Sequence, residues 1–347
     1  MSADVTDRSL EGVSPIRVAG LPLRTVAVCL VALAGLYVIP DALSNYWLRT
    51  LISAAALTMA SLSVSLLFAQ VGMVSLAQFG LLGVGGWFAL RISHGFGVPF
   101  EIALLAGGIS AALVGLVVGL PALRMRGLYL AIITLMMAGA IQVLISAFGF
   151  PDGGSGILGK SVGARLMMAR PFIAQSDEAY LRYAVVVAAL CYLLVLAHVR
   201  GRPGRAWAMI RRSEVCALAG GVDIVAYKVW AFALAGFLAG IAGGILAGGV
   251  GQLDGSAFPA SQSIMLFALT IVGGAYSWIG PIIAGLMLRA FPALLNDFRV
   301  DGNIATMVFG VGLLHALITA PHGIAGQLSE LMGRLRRAVS IDRKTGP

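Results

Sequence analysis

Apolar runs about as long as a bilayer is thick recur along most of this chain, and they constrain its fold more than any motif does. A helix needs roughly 20 residues to cross the hydrocarbon core. Ten such runs can be drawn, at about 25–40, 50–69, 73–92, 100–119, 127–148, 181–200, 228–250, 263–276, 279–296 and 303–320. With 59% of residues hydrophobic and only 11% charged, a water-soluble exterior cannot be assembled. The expected class is an all-α polytopic membrane protein of about ten transmembrane helices. Some of these are expected to be short or broken, notably Gly72 to Ile92, with Gly80, Gly83, Gly85 and Gly86, and Gly273 to Gly285, with Pro281. Unpaired backbone cannot face lipid, so broken helices are expected to line a cavity. Gly236, Gly240, Gly244 and Gly248 recur every four residues and predict one small ridge for close helix packing.

An even number of spans puts both termini on one side. With the N-terminus in the cytoplasm, sixteen basic residues lie inside: Arg8, Arg17, Arg24, Arg124, Arg126, Arg200, Arg202, Arg205, Arg211, Arg212, Lys228, Arg334, Arg336, Arg337, Arg343 and Lys344. Seven lie outside (Arg49, Arg91, Lys160, Arg165, Arg170, Arg182 and Arg299), and Arg289 falls within a span. The positive-inside rule selects this orientation. It also accounts for the net charge of +9 without nucleic acid, since the basic residues sit at the ends of apolar runs. The expected layout is a cytoplasmic tail over 1–24, a membrane domain over 25–320 with an external loop at 149–180, and a second cytoplasmic tail over 321–347. The first 24 residues are polar, so no cleavable signal is expected and the run from Thr25 should remain as an anchor.

The stretch from Arg200 to Lys228 (RGRPGRAWAMIRRSEVCALAGGVDIVAYK) is the largest internal cytoplasmic segment in this layout. Pro203 and Gly204 give way to helix formers, and Gly220 and Gly221 can stop a helix, so one short helix over Arg205–Ala219 is expected between glycine hinges. Such a helix suits either a cytosolic partner or a lipid anchor held by arginines on acidic headgroups.

Much chemistry is missing. The acidic residues fall in loops, in tails or at span ends, and His94, His198, His315 and His322 are scattered near span ends, so no intramembrane proton relay is expected. No HExxH, GxSxG or paired-carboxylate arrangement occurs, so no catalytic residues are expected. Cys29, Cys191 and Cys216 are too dispersed for a disulfide framework or zinc site. No metal or cofactor is expected. Gly154 to Ser161 (GSGILGKS) spells a phosphate-binding loop, but it follows the end of an apolar helix rather than a strand and lies on the external side, so no nucleotide is expected there.

Several stretches spread over most of 50–320 resemble the permease subunits of branched-chain amino-acid ABC importers. Gly72 to Trp87 (GMVSLAQFGLLGVGGW) is similar to a family segment through Gly72, Ser75, Leu76, Gln78, Gly83 and Gly85. Arg124 to Leu135 (RMRGLYLAIITL) carries the most specific match, through Arg124, Arg126, Gly127, Tyr129, Ala131, Ile132, Thr134 and Leu135. Gly204, Arg205, Ala206, Ile210, Arg211, Glu214, Gly221, Tyr227 and Lys228 resemble the loop through which such permeases are coupled to their ATPases. Phe258, Ser263, Ile264, Gly273, Gly274, Ser277, Gly280 and Pro281 fit a fourth pattern.

The resemblance implies a type II importer fold, a second permease subunit, two cytoplasmic ATPase subunits, an extracytoplasmic binding protein and a bacterial-type inner membrane. It assigns ATPase coupling to Arg205, Ile210, Arg211, Glu214 and Gly221. Ser75, Gln78, Tyr129, Thr134 and Ser263 are the candidates for the translocation path. On this reading Ala206, Met209, Ile210 and Ala217 fill a groove on the ATPase, Arg211 and Glu214 hold register at its rim, and Gly221 is a hinge. Family members often carry glutamates after the RGxY segment and after the Ser-Ile pair, where this chain has Met137 to Ala140 and Met265. Branched-chain amino acids are the first cargo; urea, short amides or another small organic solute are the alternative. A passive channel or membrane scaffold without an ATPase is the other class.

Overall fold

A computed structural model describes residues 40–121, 124–125, 127–154, 159, 168–251, 253 and 257–298, and further along 304, 307, 310–311 and 323–327. The chain divides after Ala42. The first unit contributes the 3-10 turn Pro40–Ala42 to the described residues, and the architecture below belongs to the second unit. The expected spans at 25–40 and 303–320, and both expected tails, lie wholly or largely outside the described residues.

The helices are α1 (Asn45–Ser65), α2 (Gln78–Phe96), α3 (Phe100–Gly119), α4 (Leu128–Phe148), α5 (Asp177–Arg200), α6 (Arg202–Arg212), α7 (Glu214–Ala219), α8 (Ile224–Val250), α9 (Ser261–Gly273) and α10 (Gly280–Asp297), with no strand among the described residues. A π-helical turn, Leu66–Val71, prolongs α1. Five of these are long and apolar enough to cross a membrane: α1 with its π turn, α3, α4, α5 and α8. α9, at 13 residues, is too short to cross alone.

α8 forms the centre and is buried along most of its length, whereas α4 and α5 bury only one side and lie at the periphery. A helix apolar on every face beyond its second turn, as α8 is after Lys228, belongs in such a position. It packs against α3 and α2 on one side and α1 on another, and α1 in turn meets α10 and α5. Glycine permits this closeness. A Cβ on Gly240 would lie 2.6 Å from the Gly107 carbonyl of α3, and one on Gly107 would lie 2.5 Å from the Gly85 carbonyl of α2. A Cβ on Gly243 would collide with the Leu82 carbonyl. Three backbones therefore meet where larger residues would hold them apart, and the four-residue glycine ridge is a packing feature.

Polar groups fasten the far end. Arg170 donates from Nε to the Gly248 carbonyl at 3.1 Å and from Nη2 to the Gly249 carbonyl at 3.3 Å, satisfying carbonyls that the end of α8 leaves open. Its Nη1 lies 2.6 Å from Asp177 at the start of α5, and Arg49 of α1 reaches the same carboxylate at 3.3 Å.

Candidate functional site

Two interrupted helices carry the polar side chains that the sequence singles out. In the first, Gly72 closes the π turn at φ +82°, and the chain stays non-helical until α2 begins at Gln78. The expected span at 73–92 therefore starts five residues later as helix. Its stray N–H groups are met by side chains: Leu76 donates to Thr134 Oγ1 of α4 at 2.9 Å, Phe79 to Ser263 Oγ of α9 at 3.2 Å, and Ala77 to Ser75 Oγ at 3.4 Å. Ser75 Oγ donates to Gln78 Oε1 at 3.2 Å. Ser75, Gln78, Thr134 and Ser263 are all buried. The structure thus gathers four of the five expected path residues around one break. Tyr129, 74% exposed, stands apart from them on α4. Gln78 Nε2 is buried without a hydrogen-bond partner.

The second break separates α9 from α10. α9 ends at Gly273, Gly274 takes a left-handed conformation, and Gly280 restarts the helix with Pro281 in its first turn. A Cβ at Gly273 would lie 2.5 Å from the Gly280 carbonyl, so the loop Gly274–Ile279 doubles back tightly. Ser61 of α1 and Thr270 of α9 share a hydrogen bond of 2.7 Å beside it, and Ser65 Oγ donates to the Ala275 carbonyl at 2.5 Å.

The single helix expected over Arg205–Ala219 is two. Ser213 is extended (φ −164°, ψ 122°), ends α6 and caps α7, its Oγ accepting from the Cys216 N–H at 3.4 Å. A serine ahead of a glutamate is a helix-start signal, and here it outweighs the run of helix formers around it. Gly221, the residue expected as a hinge, follows α7 in the left-handed conformation, at φ +75°. The apolar side of this pair also differs from expectation. Ala206, Ile210 and Ala217 are buried within this chain together with Trp207, whose Nε1 donates to the Tyr227 carbonyl at 2.9 Å and whose ring stacks on His198 of α5. A groove on another protein is not what they fill. The outward side consists of Arg202, Arg205, Met209 and Arg212 on α6 and of Val215 and Leu218 on α7.

Arg211, although exposed, and the half-buried Glu214 both reach toward the membrane body. Arg211 Nη1 donates to the Ala69 carbonyl in the π turn, and its guanidinium lies 4.8 Å from the ring centroid of Tyr276 in the second break. Glu214 accepts from Lys228 of α8 at 2.9 Å. Lys228 belongs to the coupling-loop resemblance but is given no role by it, and Trp207 is not expected as a site residue at all. A lysine one turn into an otherwise apolar helix was the available signal for the first. A cavity of about 230 Å3 lies between the Ser213 bend and the first break, lined among others by Gly72, Met73, Leu130, Arg211, Ser213 and Lys228. Residues 155–158 and 160–161 of the phosphate-loop look-alike lie outside the described residues. The segment before it is the end of α4 and not a strand.

A family model described as branched-chain amino acid transport system, permease component, matches residues 46–317. The high-affinity branched-chain amino acid transport system permease protein LivM of Escherichia coli (strain K12) is 26% identical, over 79% of this chain and 71% of its own. Its counterpart in Salmonella typhimurium is 24% identical over the same shares. The probable branched-chain amino acid transport permease protein LivH of Methanocaldococcus jannaschii is 23% identical over 78% of this chain and 88% of its own. No solved structure matches the chain. The family match spans both helix breaks and the α6–α7 bend between them, and this multi-pass membrane protein belongs to the branched-chain amino-acid transport permease family.

Proposed function

We propose that the chain is the membrane subunit of an ATP-driven importer, pairing with a second permease subunit and taking branched-chain amino acids from an external binding protein. It sits in an inner membrane with both termini cytoplasmic. The observation that carries this reading is the α6–α7 pair. Its inward side is fixed to the membrane body by Trp207, Arg211 and Glu214, while Met209, Val215 and Leu218 are exposed beside Arg205 and Arg212. Apolar side chains facing water, rimmed by like charge, suit a protein partner. A lipid anchor would gain more from a continuous apolar face than from two short helices bent at Ser213. The cytoplasmic ATPase docks on this outward side, and Gly221 lets the pair follow it.

The first break then lies on the solute path. Gln78 Nε2, buried without a partner, carries a desolvation penalty that a solute carboxylate or carbonyl can offset. The apolar setting of Met137 and Met265 suits an aliphatic side chain better than a charged one.

Co-purification of the ATPase with Val215→Asp and Leu218→Asp tests the docking surface. Both residues are exposed, so the fold should survive, and association should weaken about ten- to hundredfold with loss of uptake. Undiminished association with normal uptake would remove the reading. ATP-independent leucine flux through the isolated chain would favour a passive channel instead, and urea uptake without leucine uptake would replace the cargo.

A further inference from the structure

We infer that Arg211 is a positioning residue that joins the partner-facing hinge to both helix breaks at once, so that movement of α6 is delivered to the solute path through one side chain. The inference rests on the ATPase-docking reading above and adds the route inside this chain. Three contacts carry it. In a continuing α-helix the N–H of Met73 would serve the Ala69 carbonyl, but it reaches back to Leu67 at 2.9 Å, and the Gly72 N–H goes to Phe68 at 3.2 Å. The Ala69 carbonyl is taken up by Arg211 from a helix 142 residues further along the chain. π turns within helices are frequently found at functional sites.

The second contact is steric. A Cβ at Gly72 would lie 3.1 Å from Arg211 Cγ, so the arginine stem runs along the left-handed glycine that begins the non-helical segment. The third is the guanidinium on Tyr276, within the range of a cation–π contact. Tyr276 itself lies 5.8 Å from Phe68, and Phe68 packs edge-on to Phe267 of α9, so the two breaks share an aromatic cluster with Arg211 over it. Arg211 is the last residue but one of α6, next to the Ser213 bend. Lys228 holds the other side of that bend through Glu214. Rotation of α6 about the bend therefore draws on the π turn and the Gly274–Ile279 loop together, whereas α7 stays referenced to α8.

The test uses the assembled transporter in proteoliposomes, in a background whose three cysteines are replaced, with Val74→Cys in the non-helical segment as a thiol-labelling reporter. In the parent, ATP binding should change the labelling rate at position 74. Arg211→Ala should keep ATPase association, abolish that change and lower solute moved per ATP by about tenfold. Arg211→Lys, which can still reach the carbonyl, should restore part of both. Tyr276→Leu, which spares the arginine, should give an intermediate loss and serves if Arg211→Ala does not assemble. Normal transport per ATP and an intact labelling change in Arg211→Ala, or in Tyr276→Leu where only that variant assembles, would overturn the strut. Loss of association in Arg211→Ala would make it a partner contact and overturn the strut while the proposed function stood. Failure of the parent to associate would remove the proposed function itself.

Discussion

The Lys228 ammonium lies 2.9 Å from the Glu214 carboxylate, and the lysine side chain is 3% exposed while the glutamate is 22% exposed. A bend between two short helices is thereby pinned to the first turns of the central helix by a charge that cannot easily reach water. Removing one partner from such a pair takes a short ion-pair contact from a buried charge, which costs more than the pair contributes when intact.

Glu214→Gln should therefore lower the stability of the purified chain by about 2–4 kcal/mol, and Lys228→Met should cost less, since it removes the buried charge altogether. Thermal unfolding in detergent reads both. A double variant no less stable than Glu214→Gln alone would show the two to be coupled. Strictly additive losses would show that the ion pair does not hold the bend.

Glycine substitutions should divide by helix. Gly240→Ala and Gly243→Ala push a methyl group into the backbones of α3 and α2, and each should destabilise by about 1–3 kcal/mol. Gly139→Ala, on α4, meets nothing within 4 Å and should be neutral or stabilising by up to about 1 kcal/mol from helix propensity alone. Equal melting shifts for all three would mean that α8 is not packed against α2 and α3 at backbone distance.

Thr134→Val and Ser263→Ala each leave a backbone N–H of the first break without its acceptor, Leu76 in one case and Phe79 in the other. Each should cost about 1–3 kcal/mol and reduce uptake, while Thr134→Ser, keeping the hydroxyl, should do neither. Tyr129→Phe should leave this break unaffected, because Tyr129 stands away from it. Uptake and melting temperature measured on the four variants decide the matter. Wild-type behaviour of Thr134→Val would show the hydroxyl to be dispensable there.

Topology can be read with reporter fusions. Those after Gly220 and Arg334 should report the cytoplasm and one at Lys160 the exterior, following the basic-residue asymmetry. With Lys160 outside, Lys160→Ala should leave ATP use by the assembled transporter unchanged. A cytoplasmic signal at Lys160 would reverse the orientation and place the α6–α7 pair beyond reach of an ATPase.

The sequence by itself determined the class, the break before Pro281, the glycine ridge and the family, because run length, glycine spacing and short motifs are local properties of the chain; the first break lies at Gly72–Ala77, ahead of Gly80, Gly83, Gly85 and Gly86, which are all helical. It also marked Ser75, Gln78, Thr134 and Ser263, though not that their hydroxyl and amide groups would meet at one break, since they come from three separate segments. The tertiary structure alone decided which way the α6–α7 side chains face. Periodicity shows that Ala206 and Ile210 share a side of a helix, but not whether a partner or the chain's own membrane body covers that side. Trp207, fitting between α5 and α8, settles it for α6: once its ring is buried, Ile210 on the same side turns inward and Met209 is left outside. Arg211 reads as a surface charge because its acceptor, the Ala69 carbonyl, is orphaned only by the way α1 ends, and an unmet backbone group has no signature in the sequence.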